Sequence, residues 1–240
     1  MVSEHRRPTE RGGRATGRPV AAVLPPSLRG WLGSIAVLAV LVVVVLGVRF
    51  ADEGEPGPLD AHISDAVYGV GPPWRQVALA MDFLGEPGGA AMLIVAVVTG
   101  CLLHRRPRSA VLAVAGAGAA VGTATLLKSV VGRTIHDGSL SYPSGHTAFA
   151  TSLALVVALL TTDRLGLGAA AGTLLVLAAA LAAGAAMGWA QVALGAHYPT
   201  DALGGWCTAL AVIPAMAWLV DRTADRLPDR KTDAGRRERR

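Results

Sequence analysis

Six long segments of the 240-residue chain lack Asp, Glu, Lys and Arg, and this feature constrains the fold more than any other. Most of them approach the roughly 17–25 residues that a helix needs to cross a bilayer. They comprise residues 30–48, 88–103, 109–127, 145–162, 165–189 and 202–220. We therefore predict an all-α polytopic membrane protein, in which a bundle of six transmembrane helices forms one domain over residues 30–221.

Basic residues flank this predicted domain unevenly. The chain carries 22 Lys and Arg, and 18 of them fall on the side that holds both termini. By the positive-inside rule, we expect the disordered basic arm predicted at 1–29 and the basic tail at 222–240 to be cytoplasmic in a cell membrane. The net charge of +5 thus reflects topology, so we expect a lipid bilayer and no nucleic acid as partner. The sequence leaves the oligomeric state open.

Residues 51–87 differ from the apolar segments because they mix acidic residues with spaced apolar ones. This pattern predicts short amphipathic helices at the outer membrane surface, interrupted at 71–73. Small residues that favour close helix packing recur in the third and fifth spans, at Gly116, Gly118, Gly122, Gly184 and Gly188. Cys101 and Cys207 also fall in predicted spans, where apolar packing is more typical than a disulfide or metal site. We expect no metal and no cofactor.

A polar turn, Tyr-Pro-Ser-Gly-His-Thr at 142–147, leads into the fourth apolar segment. Ser144 is a typical helix-capping residue, Gly145 lets a ligand approach the backbone, and His146 falls in the first helical turn. The N–H groups and the positive dipole end of a helix start bind anions such as phosphate. An ordinary helix start can have the same residues, so the rest of the chain has to decide between the two interpretations.

A second histidine, His197, lies four residues before Asp201 in the loop that leads into the sixth span. That spacing places both on one face of a helix that starts near His197. A carboxylate bonded to one ring nitrogen leaves the other nitrogen available to attack an electrophile. Lys128 ends the third span and Arg133 follows it. The predicted topology brings these residues to the same outer face as the turn at 142–147.

These segments together resemble the type 2 phosphatidic acid phosphatase superfamily, which comprises membrane lipid-phosphate phosphatases, soluble acid phosphatases and vanadium haloperoxidases. The family pattern is Lys, six residues, Arg-Pro; then Pro-Ser-Gly-His; then Ser-Arg, five residues, His, three residues, Asp. Lys128 matches the first motif, residues 143–146 match the second completely, and His197 and Asp201 match the third.

Two arginines of the family pattern are missing from their positions. Ile135 stands where the first is expected, and Arg133 lies two residues earlier. Gln191 replaces the second, and a neutral amide cannot copy the paired, charge-assisted bonds of a guanidinium. We expect the Arg133 side chain to point into the pocket between His146 and His197 and to substitute for the missing cation.

The resemblance implies a metal-independent phosphatase that acts at the extracytoplasmic face on a lipid phosphate, such as phosphatidate, phosphatidylglycerol phosphate or a polyprenyl diphosphate. His197 would form a phosphohistidine, Asp201 would orient it, and His146 would act first as acid and then as base. The phosphate would be bound by Lys128, Arg133, Ser144, Gly145 and Gln191. Three alternatives stay open: a catalytically impaired binder of lipid phosphates, a lipid phosphotransferase and a transporter.

Overall fold

The computed structural model describes residues 22–226, which form eight α-helices. They are α1 (Arg29–Arg49), α2 (Pro58–Val67), α3 (Trp74–Gly85), α4 (Pro87–Leu103), α5 (Pro107–Val131), α6 (Gly145–Leu165), α7 (Ala169–Ala193) and α8 (Pro199–Arg226). Residues 22–226 contain no β-strand, and Thr134 and Leu140 form an isolated antiparallel bridge. The predicted all-α class is confirmed. The predictions for residues 1–21 and 227–240 lie outside the described part of the chain.

Five helices are long and apolar enough to cross a membrane, namely α1, α5, α6, α7 and α8. The pair α3 and α4 provides a sixth candidate span, with a bend of 70° between the two helices. Gly89 permits this bend, because a Cβ atom there would overlap the carbonyl oxygen of Phe83. The structure therefore supports five or six of the six predicted spans, and α2 and α3 are the short helices predicted on either side of 71–73.

Helix α6 lies in the middle of the bundle and contacts α5, α7 and α8. Neighbouring helices come so close at three of the predicted glycines that a Cβ atom would be crowded: Gly116 against Ile213, Gly184 against Trp206 and Gly188 against Ala202. The prediction of close packing is wrong for Gly118 and Gly122, where a Cβ atom would meet nothing within 4 Å. Only part of the glycine pattern therefore marks helix contacts.

The loops that carry the predicted site residues lie together at one end of the bundle, which we call the site end. The N–H group of Thr134 donates to the Glu53 carbonyl at 3.0 Å. The Tyr198 hydroxyl donates to the Gly54 carbonyl at 3.1 Å. These bonds join the connections that follow α1, α5 and α7, so residues far apart in sequence share one surface.

The opposite end is held by ion pairs and by the start of the described chain. Arg106 pairs with Asp163 at 2.6 Å. The Asp221 carboxylate accepts the N–H groups of Val23 and Leu24 at 2.8 and 3.0 Å. Both apolar side chains are buried in the main core. The expectation of a disordered arm up to residue 29 therefore fails for residues 22–28, because their apolar side chains pack into the bundle.

Candidate active site

His197 lies in the loop between α7 and α8, and Asp201 lies in the first turn of α8. Both are buried, with 7% of the His197 side chain and none of the Asp201 side chain exposed. The His197 Nδ1 atom lies 3.7 Å from the Asp201 Oδ2 atom, which also accepts the Tyr198 N–H at 2.9 Å. The carboxylate therefore faces one side of the imidazole ring and leaves the Nε2 side for a substrate.

A buried arginine fixes the other oxygen of Asp201. Arg133 donates from Nη1 to Asp201 Oδ1 at 2.6 Å and to the Thr200 hydroxyl at 2.7 Å. Its Nη2 atom donates to Asp60 Oδ2 at 2.7 Å. No part of these three charged side chains is exposed. Both terminal nitrogens of the guanidinium are thus bonded to carboxylates.

This position of Arg133 differs from the expected one in the pocket between His146 and His197. The guanidinium carbon lies 3.9 Å from the centre of the Phe50 ring and 4.6 Å from that of Tyr198. A guanidinium that is stacked on aromatic rings and paired with two carboxylates has few donors left for a phosphate. Arg133 therefore supports Asp201 from behind the site.

Asp60 belongs to this arrangement and was missed by sequence reasoning. It lies on α2, is fully buried, and accepts the N–H and the hydroxyl of Thr200 at 2.9 and 2.8 Å in addition to Arg133. Because Thr200 precedes Asp201, these bonds fix the start of α8. Asp60 is one of several acidic residues in 51–87, and nothing in their spacing separates it from its exposed neighbours.

The turn before α6 contains the predicted helix cap. Ser144 Oγ accepts the Thr147 N–H at 3.3 Å, and the Ser144 N–H donates to the Asp201 carbonyl at 2.9 Å. Gly205 on α8 makes this contact possible, because a Cβ atom there would overlap the Ser144 carbonyl oxygen. The starts of α6 and α8 therefore touch, which brings the segments of the two histidines together.

The start of α6 has the features of an anion site. The N–H groups of Gly145 and His146 have no acceptor within the helix, and the helix dipole adds positive potential. A Cβ atom on Gly145 would meet no atom within 4 Å, so open space lies beside the backbone. Lys128 is partly buried at the end of α5 and forms no salt bridge among residues 22–226. Phosphate binding by these groups stays a prediction.

His146 is flanked by two acidic residues at the bend between α3 and α4. Its Nε2 atom lies 3.5 Å from both Asp82 Oδ1 and Glu86 Oε1. Gly85 packs against the ring, since a Cβ atom there would overlap the imidazole. Gln191 donates to Asp82 Oδ1 at 2.8 Å, so one of its N–H groups is bonded to a carboxylate. Neither acidic residue lies in a recognised motif, so sequence patterns do not single them out.

The surroundings of His197 lower its pKa. Burial is the largest cause, since the imidazolium form would lose hydration. The charges of Lys128 and His146 act in the same direction, whereas Asp201 opposes them. His197 is therefore neutral at neutral pH, the form in which a ring nitrogen acts as a nucleophile. The influence of Lys128 and His146 on its pKa also indicates that these side chains share one site.

An apolar cavity of about 440 Å³ adjoins the polar site between α3, α4, α6 and α7. Three of its lining residues lie close in sequence to polar residues of the site. Met81 precedes Asp82 on α3, Ala150 lies one turn after His146 on α6, and Met187 lies one turn before Gln191 on α7. Helices α3, α6 and α7 thus carry polar groups at the site end and apolar groups immediately inside the bundle.

These features define a multi-pass α-helical membrane protein whose polar site, with a histidine at two helix starts, lies beside an apolar cavity. The chain belongs to the PAP2 superfamily, whose family model matches residues 88–225. The resemblance seen in the sequence is thereby confirmed.

A solved structure, described as the first transmembrane PAP2-type phosphatidylglycerolphosphate phosphatase from Bacillus subtilis, is similar with a TM-score of 0.58 and 22% sequence identity. The match covers 83% of this chain and 98% of that chain, and it shows that the two share a fold. No curated protein sequence matches the chain.

Proposed function

We propose that the chain is a membrane lipid-phosphate phosphatase that hydrolyses a phosphomonoester or diphosphate through a phosphohistidine on His197. The observation that carries the proposal is the orientation of this ring. Its Nδ1 side faces Asp201, and Arg133 holds Asp201 at 2.6 Å, so the neutral Nε2 atom is directed away from the carboxylate. A buried imidazole held in this way is a suitable nucleophile for phosphorus.

The reaction then proceeds in two displacements. His197 Nε2 forms a bond to phosphorus as the bond to the leaving oxygen breaks, and His146 gives that oxygen a proton. In the second step His146 takes a proton from water, the oxygen of which attacks phosphorus and breaks the P–N bond. Lys128, the Ser144 hydroxyl and the Gly145 N–H stabilise the negative charge on the other phosphate oxygens. None of these steps requires a metal.

The apolar cavity supports a substrate with a lipid tail. A phosphate placed between His146 and His197 would leave an attached chain beside the cavity of about 440 Å³, a volume within the range of ligand pockets. Phosphatidate, phosphatidylglycerol phosphate and polyprenyl diphosphates all combine such a tail with a terminal phosphate. The solved relative is a phosphatidylglycerolphosphate phosphatase, which makes that lipid the first to test.

We place the site at the extracytoplasmic face and both termini in the cytoplasm. Among the described residues, the site end has Arg49, Arg75, Lys128 and Arg133, and the opposite end has Arg29, Arg105, Arg106, Arg108, Arg164, Arg222 and Arg226. The excess of basic residues at the end opposite the site supports this orientation.

Phosphate release by purified protein in detergent tests the proposal. The substrates are phosphatidate, phosphatidylglycerol phosphate and a polyprenyl diphosphate, each with a chelator present. We expect the wild type to release phosphate and His197→Ala to release none. His62→Ala, at an exposed position of α2, is the control and should release phosphate at the wild-type rate. Release that persists in His197→Ala would exclude the proposed nucleophile, and loss of release in chelator would exclude metal-independent chemistry.

A second candidate is a catalytically impaired family member that binds lipid phosphates. This candidate is favoured because two cations that would bind the phosphate are missing from the site. Arg133 is paired with two carboxylates, and Gln191 is neutral and bonded to Asp82. Removal of one oxyanion donor can reduce kcat by ~10²–10³. If the wild type binds lipid phosphate without hydrolysing it, Gln191→Arg tests whether the missing cation is the cause. Transfer of the phosphate to an added alcohol would instead indicate a phosphotransferase.

A further inference from the structure

Asp82, Glu86 and His146 form a group of potential metal ligands at the site end, and the proposed reaction gives a role only to His146. One ligand atom from each lies within 4.8 Å of the others. His146 Nε2 is 3.5 Å from an oxygen of each carboxylate, which is too long for a good hydrogen bond. Ligands at about 2.0–2.2 Å from a tetrahedral zinc ion are themselves about 3.3–3.6 Å apart, and the two distances match this value.

The Nε2 atom of His146 lacks a partner in its present surroundings. It is shielded from solvent and forms no hydrogen bond to any residue in the described range 22–226. A buried ring nitrogen in that state is unfavourable. A cation held between it and the two carboxylates would satisfy the nitrogen, and the negative charge of Asp82 and Glu86 would balance a charge of 2+.

We propose that Asp82, Glu86 and His146 bind a divalent cation of the zinc class and that the bound cation inhibits the enzyme. The inhibition rests on the proposed function, whereas the binding does not. One imidazole nitrogen and two carboxylate oxygens suit zinc, which keeps a fourth position for water, while Mg²⁺ and Ca²⁺ prefer oxygen ligands throughout. The bond from Gln191 to Asp82 Oδ1 at 2.8 Å would orient that carboxylate toward the ion.

Inhibition follows from the single lone pair of His146 Nε2. The lone pair holds either a proton or a metal ion, so the imidazolium form cannot exist while the ion is bound. The Nε2 atom of His146 then has no proton to give to the leaving oxygen and cannot accept one from water. The cation is thus an inhibitor, and the rate of hydrolysis in chelator is the rate of the uninhibited enzyme.

Direct binding is tested on the purified chain in detergent, prepared without a histidine tag and freed of metal. Co²⁺ is titrated in, because its visible absorption reports tetrahedral coordination, and Zn²⁺ is added as a competitor. We expect one equivalent to bind. Glu86→Gln and Asp82→Asn should each weaken binding ~10-fold or more. Asp65→Asn, at an exposed position on α2, is the matched control and should bind normally. No saturable binding, or equal binding by all four proteins, would overturn the proposal.

Inhibition is measured on the same four proteins with a lipid phosphate and buffered Zn²⁺, each relative to its own rate in chelator. Wild type and Asp65→Asn should lose activity over the concentration range in which they bind. Glu86→Gln and Asp82→Asn should need a zinc concentration at least ~10-fold higher for the same degree of inhibition. Activation by zinc, or equal inhibition of all four, would overturn the inhibitory role. A wild type that binds Co²⁺ but releases phosphate from no lipid would refute the proposed function while the binding result still stands.

Discussion

Substitution of Arg133 distinguishes a residue that positions Asp201 from one that binds phosphate. Arg133, Asp60 and Asp201 have no exposed side-chain surface. Arg133→Ala would leave two buried carboxylates without a cation, and removing one partner of a buried ion pair costs about 3–5 kcal/mol. Loss of the contacts with the Phe50 and Tyr198 rings, at 3.9 and 4.6 Å, adds ~0.5–2 kcal/mol. The native stability of a domain is about 5–15 kcal/mol, so the loss is a large fraction of it.

Thermal unfolding in detergent measures this effect. A change of 1 kcal/mol shifts the Tm of a domain of 150–250 residues by about 2–4 °C, so we expect a fall on the order of 10 °C for Arg133→Ala. Arg133→Lys keeps the charge without the planar fork, so its Tm should lie between those of the wild type and Arg133→Ala. Arg49→Ala is the matched control, because Arg49 and Glu53 form an exposed pair with 58% and 45% of their side chains accessible. Such a pair contributes about 0–1 kcal/mol.

Kinetics separate the two roles further. If Arg133 holds Asp201, Arg133→Lys lowers kcat while KM and inhibition by inorganic phosphate change little. A double-mutant cycle with Asp60→Asn should then give a coupling energy of ~0.5–3 kcal/mol. Variants with an unchanged Tm, a raised KM and weaker phosphate inhibition would refute the positioning role, since that is the behaviour of a direct phosphate ligand.

Three further predictions concern the geometry and protonation of the site. Gly205→Ala should push the turn before α6 away from α8, lowering Tm and kcat together, whereas Gly118→Ala, in open space, should leave both unchanged. Gly85→Ala should displace the His146 ring and lower kcat with little change in Tm, and retained activity would show that the ring adapts. The lowered pKa of His197 should keep the nucleophile neutral as pH falls through about 6.5, so the acid limb of kcat/KM lies below that value. Because Lys128 contributes to the lowering, Lys128→Gln should move this limb to higher pH, and an unchanged limb would exclude that electrostatic contribution.

Much of the fold follows from patterns that are local in sequence. The uncharged segments end close to the observed helix ends, as with the predicted span at 88–103 and helix α4 (Pro87–Leu103). Ser144 caps α6 because an N-cap needs only a side chain and an amide three residues on, which the sequence displays directly. Membrane helices satisfy their own backbone hydrogen bonds, so apolar length is a strong signal for them.

The partners of individual charged side chains could not be predicted in this way. Arg133 stands two residues from the position that the family pattern expects, which favours a small shift within the same pocket. In the structure, Gly132 ends α5 with φ of 69° and directs the following residue away from the helix. Arg133 then reaches Asp60, which lies 73 residues earlier in the chain. A contact of that separation depends on the packing of α2, which no pattern near Arg133 reveals.

Asp201 matters more than its match to a motif suggests, because it contacts segments that lie far apart in the chain. One carboxylate oxygen binds Arg133, and the other lies beside His197. Its backbone carbonyl accepts the N–H of Ser144, which begins the helix of His146. The first turn of α8 thus fixes the separation between two histidines that lie 51 positions apart in the sequence. Since the link to Ser144 uses the backbone, side-chain changes at Asp201 can alter the environment of His197 while the start of α6 keeps its place.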